Sequence, residues 1–220
     1  MQNIHAIIVA AGSGTRFGAP KQLVMLGKPL YRHSLDRFAE HPAISRIVLV
    51  VSDDIRTAIE RDLSNPKIEI VTGGATRQRS VSNGLAKLSD VPPDDIILVH
   101  DAARPGVSAE IITSLIEAIK RSDAALAAIP VVDTLKRDEG GNSVETISRD
   151  HLWRAQTPQG ATHEILSQAF AAAEREAYEA TDEAELLERI GIRATLVLGS
   201  EKNMKVTYPE DLDRVARLMQ

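Results

Sequence analysis

Five short stretches, residues 4–10, 47–51, 68–71, 96–99 and 125–132, are built almost wholly from Ile, Val, Leu and Ala, with little alternation of polar residues. Runs of that length and character read as strands covered on both faces. Between them apolar residues recur at helical spacing: Tyr31, Leu35 and Phe38, then Ile55, Ile59 and Leu63, then Val81, Leu85 and Leu88, then Ile111, Ile112, Leu115, Ile116 and Ile119. Strand alternating with helix predicts an α/β protein, a three-layer α/β/α sandwich with a Rossmann-like, mostly parallel sheet and right-handed crossovers. Residues 133–155 break the alternation. Two short polar strands at 134–137 and 144–148 flank Gly140 and Gly141 and predict a protruding β-hairpin arm. Ser108 and Thr181 are placed to cap helices, and Pro209 suits a first helical position. With no linker, repeat or low-complexity tract, residues 1–220 read as a single domain.

Composition narrows the chemistry. Three Phe, three Tyr and one Trp leave little for stacking on nucleic-acid bases, and the net charge of −5 disfavours bulk attraction to nucleic acid or anionic lipid. There is no cysteine, which excludes disulfides, thiolate metal sites and a thiol nucleophile. The apolar run at the amino terminus is too short for a signal or membrane segment, so no membrane partner is expected and the cytoplasm is the expected location. Charge is unevenly spread: residues 1–35 hold no Asp or Glu, although the chain has 31, while Arg16, Lys21, Lys28 and Arg32 fall in that window. An anion meets no repulsion there.

Three loops follow predicted strands. The first, from Ala10 through Ala11, Gly12, Gly14 and Arg16 to Lys21, has the makeup of a phosphate loop, since glycine lets backbone N–H groups approach an anion. It fits neither the dinucleotide fingerprint, which needs glycine where Phe17 stands, nor a Walker A loop, which needs Gly-Lys before Ser or Thr. The second, Gly73 and Gly74 leading to Arg77 and Ser80, offers a helix N-terminus to a base edge, ribose or phosphate; read alone it is better taken as a simple turn with solvated arginines, and only its place beside the first loop in a parallel sheet lifts it. The third, His100-Asp101-Ala102-Ala103-Arg104-Pro105, puts a carboxylate at a strand end where a ribose hydroxyl or a magnesium shell can meet it, or where it merely ties the loop. No HExxH pattern or nucleophile elbow occurs, and no protein-built metal site is expected.

These blocks, with Asp133-Thr134-Leu135-Lys136, Leu152-Trp153, Thr157-Pro158-Gln159, Thr181-Asp182-Glu183-Ala184 and Asn203-Met204-Lys205-Val206-Thr207, resemble the 2-C-methyl-D-erythritol 4-phosphate cytidylyltransferases over nearly the whole chain. The resemblance implies transfer of CMP from CTP to a polyol phosphate with release of pyrophosphate. Arg16 and Lys21 would then act on the CTP phosphates, and Ala10, Ala11, Gly12, Gly14, Lys21, Gly74, Ser80, Asp101 and Ala102 would line the nucleotide. Thr134, Arg149 and Lys205 would hold the acceptor, with Arg149 and Lys205 also counted as catalytic. Magnesium (Mg2+) would be held mainly by the CTP phosphates. The arm would cross the axis of a homodimer, so that Thr134 and Arg149 serve the neighbour's site.

Val9 and Phe17 stand where many relatives have Pro and Met, and Lys202 where some carry an acidic residue, which adds a cation near Lys205. Two other readings stay open at this point: a ribitol 5-phosphate cytidylyltransferase, which shares the CTP-side blocks, and a regulator that binds nucleotide without chemistry. Some members of the family are fused to a second enzyme, so the chain is read either as complete or as a first domain.

Overall fold

The computed structural model describes residues 2–12, 14, 17–140 and 143–219. In chain order its elements are β1 (Ile4–Ala10), a 3-10 turn (Lys21–Leu23), β2 (Met25–Leu26), β3 (Lys28–Pro29), α1 (Leu30–Glu40), β4 (Ile44–Val51), α2 (Asp53–Asp62), β5 (Ile68–Thr72), α3 (Arg77–Ala86), β6 (Ile96–Asp101), α4 (Ala109–Ser122), β7 (Ala124–Pro130), β8 (Leu135–Gly140), β9 (Ser143–Ile147), β10 (Trp153–Thr162), α5 (His163–Arg175), α6 (Glu183–Arg189), β11 (Thr195–Leu198), a second 3-10 turn (Glu201–Asn203) and α7 (Asp211–Leu218).

The main sheet runs β11-β7-β10-β6-β1-β4-β5. Its pairings are parallel except at β10, which lies antiparallel to both β6 and β7. The alternating orientation of strand residues divides the core between the two faces. Ile4, Ala6, Ile8, Ile47, Leu49 and Leu98 pack with α1, α2 and α4, whereas Ile7, Val48, Val50, Ile97 and Val99 pack with α3, α5 and α6. Both faces of β1, β4 and β6 are therefore covered, which is why their sequences are almost continuously apolar. The three-layer, mostly parallel architecture stands as expected.

Differences from the sequence expectations cluster after residue 130. The hairpin β8–β9 is present, but residues 153–155 already belong to the main sheet, pairing Trp153 with Pro130 and Ala155 with Ala128, so the hairpin is shorter than the 133–155 range. β10 escaped the apolar-run criterion because its buried stretch is Gln156-Thr157-Pro158-Gln159-Gly160. Its amides are satisfied rather than apolar: Gln156 Nε2 donates to the Ser200 carbonyl at 2.8 Å, and Gln159 Nε2 donates to Asp182 at 2.9 Å while its Oε1 accepts from the Ala184 amide at 3.0 Å. Ser108 caps α4 as expected. At α6 the cap is Asp182, not Thr181; the Thr181 hydroxyl instead donates to Glu185. Pro209 lies two residues ahead of α7, whose start is tied by Asp211 accepting from the amides of Thr207 and Tyr208. No described helix is long and apolar enough to cross a membrane.

Candidate active site

β1 has β4 on one side and β6 on the other. The chain leaves β1 through α1 toward β4 and returns from β5 through α3 to β6 on the opposite side. The loops after β1 and β6 therefore part, and such a switch point leaves a crevice at the carboxyl ends of the strands. A cavity of about 370 Å³ occupies it, walled by Val9, Ala11, Gly12, Gly14, Phe17, Lys21 and Gln22 from the first loop and Gly74, Ala75, Thr76, Arg77 and Ser80 from the second. Asp101, Ala103, Lys205 and Thr207 complete the wall.

The first loop turns at Gly14, whose φ of +66° suits glycine, and whose carbonyl accepts from the amides of Phe17 and Gly18 at 2.8 and 2.9 Å. A Cβ there would fall on the Ala19 carbonyl oxygen. Gln22, buried, pins the loop by donating to the Gly12 carbonyl at 2.7 Å. Lys21 reaches across to the Val206 carbonyl at 2.9 Å. Arg16 lies outside the described residues.

In the second loop Thr76 caps α3 by accepting from the Arg79 amide at 3.2 Å. The Ser80 hydroxyl accepts from the Gly74 amide at 3.1 Å and donates to the Thr76 carbonyl at 2.9 Å, so it shapes the loop from within. A Cβ on Gly73 would collide with the Ala11 methyl, so this loop and the first touch only because residue 73 is glycine.

The far wall is an ionic cluster. Asp101 accepts from Arg77 Nε at 2.9 Å and from Lys205 Nζ at 2.8 Å, with Arg104 Nε 3.6 Å away. Burial pushes the Asp101 carboxyl up, but Arg77, Lys205 and Arg104 together hold it well below the usual carboxylate range. Arg77 also gives its two terminal nitrogens to Glu183, at 2.7 and 3.0 Å. Burial works against the Arg77 charge, yet Glu183 and Asp101 raise its pKa above the ordinary value. Each Asp101 carboxylate oxygen is engaged by a cation, and among the described residues no group of three or more His, Cys, Asp or Glu is disposed to hold a metal ion.

His100 sits beneath this cluster, fully buried, with its ring 5.1 Å from that of Phe38. Burial pushes its pKa down to about 3. A neutral ring with the proton on Nε2 satisfies every contact: Nε2 donates to the Arg104 carbonyl at 3.3 Å, and Nδ1 accepts from the Thr157 hydroxyl at 3.1 Å, which itself accepts from the Asp101 amide at 3.0 Å. His100 thus fixes the third loop as a neutral hydrogen-bonding group.

Of the residues singled out from sequence, Ala11, Gly12, Gly14, Lys21, Gly74, Ser80, Asp101 and Lys205 meet at this cavity. The methyls of Ala10 and Ala102 turn into the core, leaving only their backbone near the crevice. Thr134 and Arg149 are exposed at the base of the hairpin, where Arg149 donates to the Val132 carbonyl, and they line no part of the cavity. Lys202 is exposed in the second 3-10 turn. A smaller polar cavity of about 160 Å³ shares Arg77, Asp101 and Lys205 with the first and is otherwise lined by residues such as Arg104, Thr157 and Thr181. The wall of the larger cavity also includes residues not assigned a role from sequence, among them Gln22, Ala75, Thr76, Arg77, Ala103 and Thr207, and Glu183 stands behind Arg77. Arg77 had a signal in its position after a glycine pair, and Glu183 only as part of the Thr181–Ala184 block; nothing local pointed to their pairing.

The sequence profile of the IspD family, 2-C-methyl-D-erythritol 4-phosphate cytidylyltransferase, matches residues 4–220. The chain belongs to this family. It is 41% identical to the 2-C-methyl-D-erythritol 4-phosphate cytidylyltransferase of Tolumonas auensis, over 100% of this chain and 98% of that one. It is 46% identical to the bifunctional IspD/IspF enzyme of Desulfotalea psychrophila, over 96% of this chain but 55% of that protein, so it spans about half of that relative. Among solved structures, the Francisella tularensis 2-C-methyl-D-erythritol 4-phosphate cytidylyltransferase superposes with a TM-score of 0.86 at 34% identity, covering 99% of this chain and 100% of that one.

Proposed function

We propose that this chain joins CTP to 2-C-methyl-D-erythritol 4-phosphate, giving 4-diphosphocytidyl-2-C-methyl-D-erythritol and pyrophosphate. The observation that carries the reading is a glycine-shaped crevice at the switch point onto which Lys21 and Lys205 converge, in a chain matched from end to end by the cytidylyltransferase family. A nucleotide fits the cavity with its phosphates toward the first loop and α3. The acceptor phosphate attacks the α-phosphorus, and the main obstacle is anion against anion: one like-charge pair at 4 Å costs about 4 kcal/mol at an effective dielectric near 20. The acceptor phosphate is ionised at neutral pH, so the reaction calls for fixed cations and in-line positioning rather than a general base.

Lys21 and Arg16 are assigned to the triphosphate, and Lys205 and Arg149 to the acceptor. The polar cavity beside Asp101 suits the acceptor's hydroxyls. Thr134 and Arg149 stand apart from the cavity of their own chain, which favours a homodimer in which the hairpin serves the neighbouring site. Since Asp101 is already engaged by Arg77 and Lys205, magnesium enters this proposal on the triphosphate, where it offsets phosphoryl charge. The cytoplasm is the proposed location.

The test is pyrophosphate release from CTP and magnesium with 2-C-methyl-D-erythritol 4-phosphate added, omitted, or replaced by ribitol 5-phosphate. Release that depends on the erythritol compound is expected. Release with ribitol phosphate alone moves the assignment to that acceptor, and silence with both in protein that binds CTP overturns catalysis in favour of binding alone.

A further inference from the structure

An arginine beside a phosphate site ordinarily offers its planar fork to the anion. Arg77 does not: Nε faces Asp101, and both terminal nitrogens face Glu183. Glu183 is 1% exposed and opens α6, which is anchored to β10 through Asp182, Ala184 and Gln159. The carboxylate is therefore held by the fold from behind, and the guanidinium is held by the carboxylate. Arg77, Arg104 and Lys205 set against Asp101 and Glu183 leave one surplus positive charge beside the cavity.

We propose that Glu183 is a positioning residue that keeps the Arg77 fork off the nucleotide's phosphates, fixing Asp101 for the acceptor side and limiting the grip on pyrophosphate. The inference deepens the cytidylyltransferase reading and rests on it. Freed from Glu183, Arg77 gains a fork to place on any anion in the cavity, and the surplus charge doubles. Such binding stabilises substrate, transition state and product alike, so it adds affinity without adding rate.

Two variants separate charge from placement. Glu183→Gln removes the charge; it should bind pyrophosphate about threefold more tightly by calorimetry, because one buried negative charge is lost near the anion. Its kcat should fall about tenfold with no rise in KM for CTP, because Asp101 is no longer held in place. Glu183→Asp keeps the charge but cannot reach both terminal nitrogens; it should bind pyrophosphate more tightly than the unmodified protein but by less than about threefold, and still lose about tenfold in kcat. A purely structural role would lower the melting temperature and leave pyrophosphate affinity unchanged. Unchanged pyrophosphate affinity in folded Glu183→Gln, or full kcat in Glu183→Asp, overturns the proposal; if Glu183→Gln does not fold, Glu183→Asp decides. Lack of turnover in the unmodified protein overturns the reaction itself, while the pyrophosphate titrations still report on Glu183.

Discussion

The Lys21 ammonium donates to the backbone carbonyl of Val206 at 2.9 Å, joining the start of the chain to its end across the mouth of the cavity. A carbonyl is a neutral acceptor, and an incoming phosphate oxygen, carrying charge, forms the stronger bond with the same donor. The contact holds the ammonium at the wall of the cavity proposed for the phosphates and leaves it open to a stronger acceptor.

Lys21→Ala removes that cation while leaving a buried sheet untouched. The expected result is a fall in kcat of at least about 100-fold with a melting temperature close to that of the unmodified protein. Initial rates of pyrophosphate release with saturating CTP and acceptor measure it, and near-normal turnover would remove Lys21 from the chemistry.

Lys21→Ala and Arg149→Ala chains should each be inactive alone and regain activity when mixed, if the hairpin of one subunit completes the cavity of the other. Random pairing gives half mixed dimers, each with one intact site, and so about one quarter of normal activity. No recovery after subunits are exchanged would place Arg149 in its own chain's site or outside catalysis.

His100 stays neutral in the folded protein down to about pH 3, whereas an unfolded histidine gains its proton near 6.5. Between those values the unfolded state binds the extra proton, so stability falls as pH falls below about 6.5. From pH 7.5 to 5.0 this one residue removes about 2 kcal/mol of unfolding free energy. Denaturant titrations of His100→Asn should show a flatter pH dependence over that interval, even though the variant is less stable at neutral pH. Parallel curves for the two proteins would refute the buried neutral imidazole.

Gly14→Ala sets a methyl against the Ala19 carbonyl at a backbone angle alanine avoids. The loop must open, and CTP affinity should drop more than about tenfold while far-UV circular dichroism stays unchanged. CTP titration by calorimetry checks this; normal affinity would mean that the loop shape does not matter to the nucleotide.

What could be read from sequence follows from which forces leave a local mark. Ile4 to Ala10 and Ile96 to Val99 were legible because strands covered on both faces need apolar residues throughout. Gly12, Gly14 and Lys21 stood out because glycines and a cation lie close together in the chain, and the structure brings all three to one cavity. β10 was not legible, because its burial is balanced by hydrogen bonds from Gln156 and Gln159 to residues more than twenty positions away. The pairing of Glu183 with Arg77 was hidden for the same reason, since the two lie 106 residues apart and nothing in either neighbourhood points to the other. Thr134 and Arg149 mark a further limit, for one chain's geometry does not gather them with Lys21.

The strand that runs against its neighbours also constrains the order of assembly. β6 and β7 follow one another in synthesis but do not pair; the slot between them, about 9–10 Å wide, is filled by β10, which leaves the ribosome later. β7 has no other link to β6, so without β10 the sheet would end at β6 and leave a bare strand edge there. The same strand brings the Thr157 hydroxyl to the Asp101 amide, so the strand that joins the two parts of the sheet also fixes the third loop of the candidate crevice.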